Sequence, residues 1–312
     1  MSVRIGLSLA GWPFAAADGS PFFGFVDQAE ELGFDSLWLS DRLVSTVPVL
    51  EPLTALAMAA ARTRKLKFGM SVMVLPLRNP AVVAKEIATV DFLSGGRMLP
   101  AFGIGADDQR EYEAAGIRFA ERAARTDEAV PLLRRLWSEE HVTHHGRFYH
   151  LSDVTIAPRP AQPLPIWFGG RSDAAFRRVG RLGDGWLASF ITPEELGEGC
   201  ERIRQHAAEA GRTIDEDHYG VIVSIAVART REAALELAAP VLRRLRPDVD
   251  PGRVGAFGTP DELVARIGAY LRAGASKFVL RPACPGDRLS EQLVLLAREV
   301  APRFDLTMAA AR

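Results

Sequence analysis

Short apolar, β-prone runs recur along the chain, and nearly every one is followed by a stretch with apolar positions at helical spacing. The runs are Val3–Leu9, Ser36–Leu39, Leu66–Leu75, Met98–Ile104, Leu164–Phe168, Trp186–Phe190, Val221–Ala228 and Lys277–Arg281. Between and after them, helical periodicity predicts helices over 22–32, 52–61, 80–93, 121–137, 173–182, 193–210, 231–245, 260–273 and 288–300. Gly33, Gly211 and Gly274 stand where helices should stop, and Pro80 stands where one should start. Repeated strand–helix alternation implies parallel strands joined by right-handed crossovers. Eight such units close into a (β/α)8 barrel, for which roughly 250 residues is usual.

The chain has 312 residues, so the surplus belongs in loops. Two stretches fit. Residues 141–163 read as a short hairpin with a Pro-rich linker, and residues 246–259 as a mobile loop between two helices. The whole of 1–312 is then one barrel domain. An open doubly wound sheet gives the same local pattern, but no G-x-G-x-x-G follows the first strand.

A barrel puts its active site at the C-terminal ends of the strands. Those positions in this chain hold no His and few carboxylates, namely Asp41, Asp107 and Asp108. They hold glycines and small polar residues instead. That suits a site in which a bound cofactor carries the chemistry. The clearest signal is Trp167–Gly180, where a strand ends at Gly169-Gly170 and Arg171-Ser172-Asp173 open a helix. Such a turn is either an anion-binding site, using backbone N–H groups and the helix dipole, or an ordinary capped turn. Gly103-Ile104-Gly105 ends the fourth strand and reads either as a second close approach or as plain strand–helix packing.

The run Asn79-Pro80, Lys85, Val90-Asp91, Ser94 and Gly96-Arg97, followed by Gly103 and Gly105, resembles the bacterial luciferase-like monooxygenase superfamily. So do AEELGFDSLWLSDR (Ala29–Arg42), RTDEAVPLLRRLW (Arg125–Trp137), PIWFGGRSDAAFRRVGRLGDGW (Pro165–Trp186) and GTPDELVARIGAYLRAGA (Gly258–Ala275). Together these segments cover most of the chain in the superfamily's order. The resemblance implies a (β/α)8 barrel that uses FMN or the deazaflavin F420, both of which carry a phosphate. It also implies a homodimer packed through the early barrel helices, with Pro52–Ala61 and Val82–Leu93 as the faces.

The same resemblance places a non-prolyl cis peptide in the third strand, which falls between Ser71 and Val72. It makes Asp41 and Arg42 the candidate catalytic pair. Many F420 dehydrogenases have His where this chain has Arg42, so the departure points away from a sugar-phosphate or alcohol dehydrogenase. Arg42 stays protonated and cannot act as a base. Its remaining roles are to bind an anion or to pair with a carboxylate. FMN-using members anchor the phosphate with an Arg just after the fourth strand, where this chain has Ala106. That favours F420. The candidate cofactor residues are Asp41, Ser71, Val72, Gly105, Ala106, Gly169, Gly170, Arg171 and Ser172. Arg177 and Arg178 are further candidates for an anionic tail. Trp12 and Arg281 are candidates for the substrate.

The reading is therefore an F420-dependent oxidoreductase acting on a small organic substrate. One alternative is an FMN monooxygenase served by a separate flavin reductase. Another is a non-catalytic flavin-binding protein. The balance of 38 Lys+Arg against 39 Asp+Glu argues against nucleic acid. Two cysteines, Cys200 and Cys284, suit a reducing cytosol, and no run is long enough to span a membrane. His141, His144, His145 and His150 read as surface residues of the hairpin, because no ligand spacing completes a metal site.

Overall fold

The computed structural model describes residues 3–15, 18–242 and 249–304. Eleven strand segments form one all-parallel sheet. Two barrel strands are each split, and one short strand lies outside the ring, so the sheet is an eight-stranded barrel. The third strand runs as Lys67–Met70 and then Met73–Val74. The break is at Ser71–Val72, whose peptide bond is cis. The fourth runs as Met98–Leu99 and then Ala101–Gly103. Arg4–Leu9 pairs with Ser36–Leu39 on one side and with Lys277–Pro282 on the other, which closes the ring.

Strand alternation decides what fills the barrel. Along the first strand Gly6 and Ser8 face inward, while Ile5 and Leu7 join the layer beneath the helices. Along the eighth, Lys277, Val279 and Arg281 face inward. The interior is plugged by Trp38 and Trp167 with Ala101, Leu187, Ile222 and Val279. Each indole needs glycines opposite it. A Cβ on Gly6 or Gly69 would run into Trp38 or its neighbour Ser36, and one on Gly185 or Gly220 into Trp167. Below the plug, Lys277 is buried between Asp35 and the face of Trp38, 5.5 Å from the ring centroid.

The helices form by the expected local chemistry. Asn79 caps the helix Pro80–Ser94 through Ala81 N–H at 2.9 Å, and Gly95 ends it in the left-handed conformation. Thr192 and Thr259 each form a reciprocal capping box with the Glu three residues on. Residues 142–154 form the expected antiparallel hairpin.

The expectation of a mobile loop over 246–259 is corrected. Residues 246–248 lie outside the described residues. Beyond them Pro251–Val254 is a helical turn and Gly255–Gly258 a strand, paired parallel to Ser224–Val227 at the outer end of the seventh strand. The expected helix 231–245 is described as Arg231–Leu242, and residues 243–245 lie outside the described residues. A further short helix, Gln109–Ala114, follows the fourth strand. No helix among the described residues is long and apolar enough to cross a membrane.

The plug yields a stability test. Gly69→Ala should cost about 1–3 kcal/mol, because the indole of Trp38 has no room to move away. Gly24→Ala, in the helix Ser20–Glu31 with nothing within 4 Å, should gain about 0.5–1 kcal/mol. Urea unfolding of both variants checks the contrast, and equal midpoints would refute it.

Candidate active site

A cleft of about 700 Å³ opens at the C-terminal ends of the strands. That volume falls within the range of about 300–1,000 Å³ for small-molecule and cofactor sites. The third strand's break lines it with Ser71 and Val72, the fourth strand's end with Gly105 and Ala106, and the fifth strand's turn with Gly169, Gly170, Arg171 and Ser172. Asp41, Arg42 and Arg281 line it as well. The fold thus brings all but two of the candidate residues to one cavity. Arg177 lies outside it and pairs with Asp173 at 2.8 Å. The other exception is Trp12. Its backbone N–H donates to Pro48 O at 2.8 Å, which turns the residue toward the loop after the second strand. Its ring meets Phe14 edge-on at 5.1 Å, and it lines a small separate pocket with Val49 and Leu50.

The acids beside the cleft are committed elsewhere. Asp41 is buried, and its two oxygens accept from Arg78 at 2.6 and 2.9 Å, with Val74 N–H adding a third bond at 2.8 Å. It braces the third strand just beyond the cis bond. Arg42 pairs with Glu111 at 3.2 Å, and the same fully buried carboxylate accepts from Leu43 N–H and Val44 N–H. Arg42 is thus held as a positioning and charge element. Arg178 pairs with Asp127 at 2.6 Å, and exposed Arg171 donates to Phe190 O at 3.0 Å. Asp107, at the rim, pairs with Arg122. Among the described residues, the cleft lining contains no His, Cys, Lys or Tyr.

At the glycines, packing, one of the two readings their spacing leaves open, is directly visible. A Cβ on Gly103 would meet Val72 Cγ2 at 2.7 Å, and one on Gly169 would meet both Val72 methyls at 3.1 and 3.2 Å. These two positions are small because Val72 leans over them. Gly105 has φ +84° and faces the hydroxyl of Tyr112, which donates to Ile104 O and Ala106 O. Gly170 has φ +107°, and a Cβ there would meet Ala175 Cβ at 2.7 Å. Ser172 caps the following helix, accepting from Ala175 N–H at 3.3 Å.

Arg281 stands apart. It is buried at the cleft floor, and no carboxylate lies against it. Its Nη2 reaches only Ser8 Oγ and Ser40 Oγ, each at 3.4 Å, and its Nε has no partner. Burial pulls its pKa down to about 10, so it is still cationic at neutral pH. Sequence reasoning passed over Ser8, Arg78 and Glu111. Inward alternation along the first strand was a signal for Ser8, whereas Arg78 and Glu111 carry no pattern of their own.

The brace is open to test. Asp41→Asn should lower unfolding stability by about 2 kcal/mol, since the buried pair with Arg78 loses its charge and the Val74 N–H contact is weakened. An unchanged urea midpoint would show that the brace contributes nothing.

A family model described as luciferase-like monooxygenase matches residues 12–256. An F420-dependent glucose-6-phosphate dehydrogenase of Kineococcus radiotolerans is 32% identical over 310 residues, covering 89% of this chain and 91% of the relative. One of the same description from Amycolatopsis mediterranei is 28% identical, covering 90% and 93%. Among solved structures, monooxygenase RslO1 from Streptomyces bottropensis superposes with a TM-score of 0.84 at 25% identity, covering 96% of this chain and 99% of that one.

Proposed function

Because the chain belongs to the luciferase-like monooxygenase family, and is an enzyme of its flavin- and F420-dependent oxidoreductase kind, we propose that it uses F420 to transfer hydride to or from a small organic substrate. The observation that carries the choice of cofactor is the distribution of charge around the cleft. Arg171 and Arg178 stand at the Gly169–Ser172 turn, while the fourth-strand wall offers Gly105 and Ala106, without the arginine that FMN-using members place there. The names of the relatives that match nearly end to end point the same way.

In this reading the Gly169–Ser172 turn and Arg171 hold the cofactor phosphate, and Ser71, Val72, Gly105 and Ala106 line the ring. The volume of the cleft, its apolar lining by Val72 and Ile222, and its arginines fit such an anionic cofactor. Bound F420 supplies the hydride-carrying deazaflavin carbon. The chain's own residues exclude water, orient the reactants and supply positive charge. Arg42 in place of His, together with a cleft lining that lacks imidazole among the described residues, supports a substrate other than a sugar phosphate or alcohol, because neither can be deprotonated by a guanidinium.

Fluorescence titration of the purified protein with each cofactor tests this. F420 should bind at least about tenfold more tightly than FMN, a difference of about 1.4 kcal/mol. Tighter FMN binding would favour the monooxygenase reading, with its separate reductase partner, which the likeness to RslO1 keeps in view.

We also infer that residues 1–312 form one domain and that the enzyme is a homodimer. Met58, Val82, Phe92 and Leu93 are exposed on the adjoining helices Pro52–Arg62 and Pro80–Ser94, Phe92 at 64% and Leu93 at 77%. Apolar side chains grouped this way mark an association surface. Light scattering should give about twice the 34.0 kDa chain mass, and Leu93→Glu should shift it toward the monomer. A wild-type mass of one chain at micromolar concentration would refute the dimer.

A further inference from the structure

Among the cleft-lining residues described, Arg281 is the buried cation that the chain leaves unneutralised. Its neighbours are hydroxyls. Ser8 and Ser40 stand at 3.4 Å, and Ser71 Oγ lies 3.4 Å from Ser8 Oγ. Asp41 does not supply the missing charge, because Arg78 already holds both its oxygens. We propose that Arg281 receives the carboxylate of the substrate, and that the enzyme acts on monocarboxylic acids with an apolar body.

Three features select that ligand. A carboxylate matches the planar fork of a guanidinium with two parallel hydrogen bonds, and the free Nε completes such a fork. One cation among neutral hydroxyls balances one negative charge. A dianionic phosphate would leave a charge unmet, and a neutral molecule would leave the arginine unmet. Val72 and Ile222 line the same cleft, which suits an apolar body, and neither offers a further polar anchor. Seating the carboxylate at the floor fixes one end of the substrate and turns the rest toward the cleft opening.

What happens to that substrate rests on the oxidoreductase reading, but its binding does not, so the test is run on the full chain both without cofactor and with F420. Calorimetry and thermal melting are carried out with benzoate and hexanoate, with the neutral benzamide and hexanamide, and with inorganic phosphate. Wild type should bind each carboxylate at least tenfold more tightly than its amide, and more tightly than phosphate. Arg281→Met should erase that preference, weakening carboxylate binding about thirtyfold or more, while F420 affinity changes less than threefold. Its ligand-free Tm should equal or exceed that of wild type, because an unpaired buried charge has been removed. Arg281→Lys keeps the charge without the fork and should bind carboxylates at intermediate strength. It also serves as the measurement if the Met variant does not fold. Equal binding of acid and amide, a preference for phosphate, or carboxylate binding that survives in either variant at wild-type strength would overturn the proposal. So would a loss of F420 affinity in Arg281→Met as large as the loss of carboxylate affinity, since the guanidinium would then serve the cofactor.

Discussion

Two indole rings set the depth of the cleft. Trp38 and Trp167 fill the middle of the barrel, each against glycines of neighbouring strands. Packing at this density leaves no channel, so everything on the C-terminal side rests on a solid base. Ile222 and Val72 belong both to the plug and to the cleft wall. The large side chains below and the small ones above therefore follow from one requirement. The barrel must be full where it is structural and open where a ligand enters. Val72 extends the same logic upward, since Gly103 and Gly169 are small where it leans over them.

Above the plug, acidic groups hold the loops. Asp41 ties the second strand's end to Arg78 and Val74 N–H, and Glu111 gathers the N–H groups of Leu43 and Val44 together with Arg42. Each carboxylate is buried with its charge met by arginine and its oxygens met by donors, the condition under which burial of a charge is tolerated. The walls are thereby fixed in place, and the cleft is left with hydroxyls, backbone and guanidinium groups. Such a lining positions and polarises, and it has little capacity for proton transfer. A cofactor that brings its own reactive carbon suits it well.

Much of this was legible in the sequence. Eight apolar runs alternating with helical periodicity predict the barrel, and the strand-end rule gathers Asp41, Ser71, Gly105, Gly169 and Arg281 at one end of it, where they line one cleft. What was not legible has physical causes. A glycine announces that a side chain is forbidden without saying what forbids it. Spacing left ligand approach and packing both open at Gly105 and Gly170, and the structure shows the packing neighbours, Tyr112 and Ala175. Gly255–Gly258 is short and glycine-rich and carries no alternation, so only pairing with Ser224–Val227 makes it a strand. Glu111 sits on a six-residue helix whose carboxylate acts 67 to 69 residues away in sequence, a relation no local pattern encodes. Trp12 turns toward the loop after the second strand, because proximity to a strand end does not fix which way a loop runs.

The eighth strand contains its own control. Lys277 and Arg281 point into the same barrel from the same face of one strand, four residues apart. Both are buried, and burial lowers the pKa of both, to about 8 for Lys277 and about 10 for Arg281. Around Lys277 the fold supplies Asp35 and the face of Trp38. Around Arg281 it supplies neutral hydroxyls at the limit of hydrogen bonding. The same barrel can therefore satisfy a buried cation, and does so at the closed end. At the open end, where a counter-charge can arrive from solution, it does not. A chain that leaves one of two equivalent charges unmet, at the position that a ligand can reach, has placed its deviation from local rules where function is expected to lie.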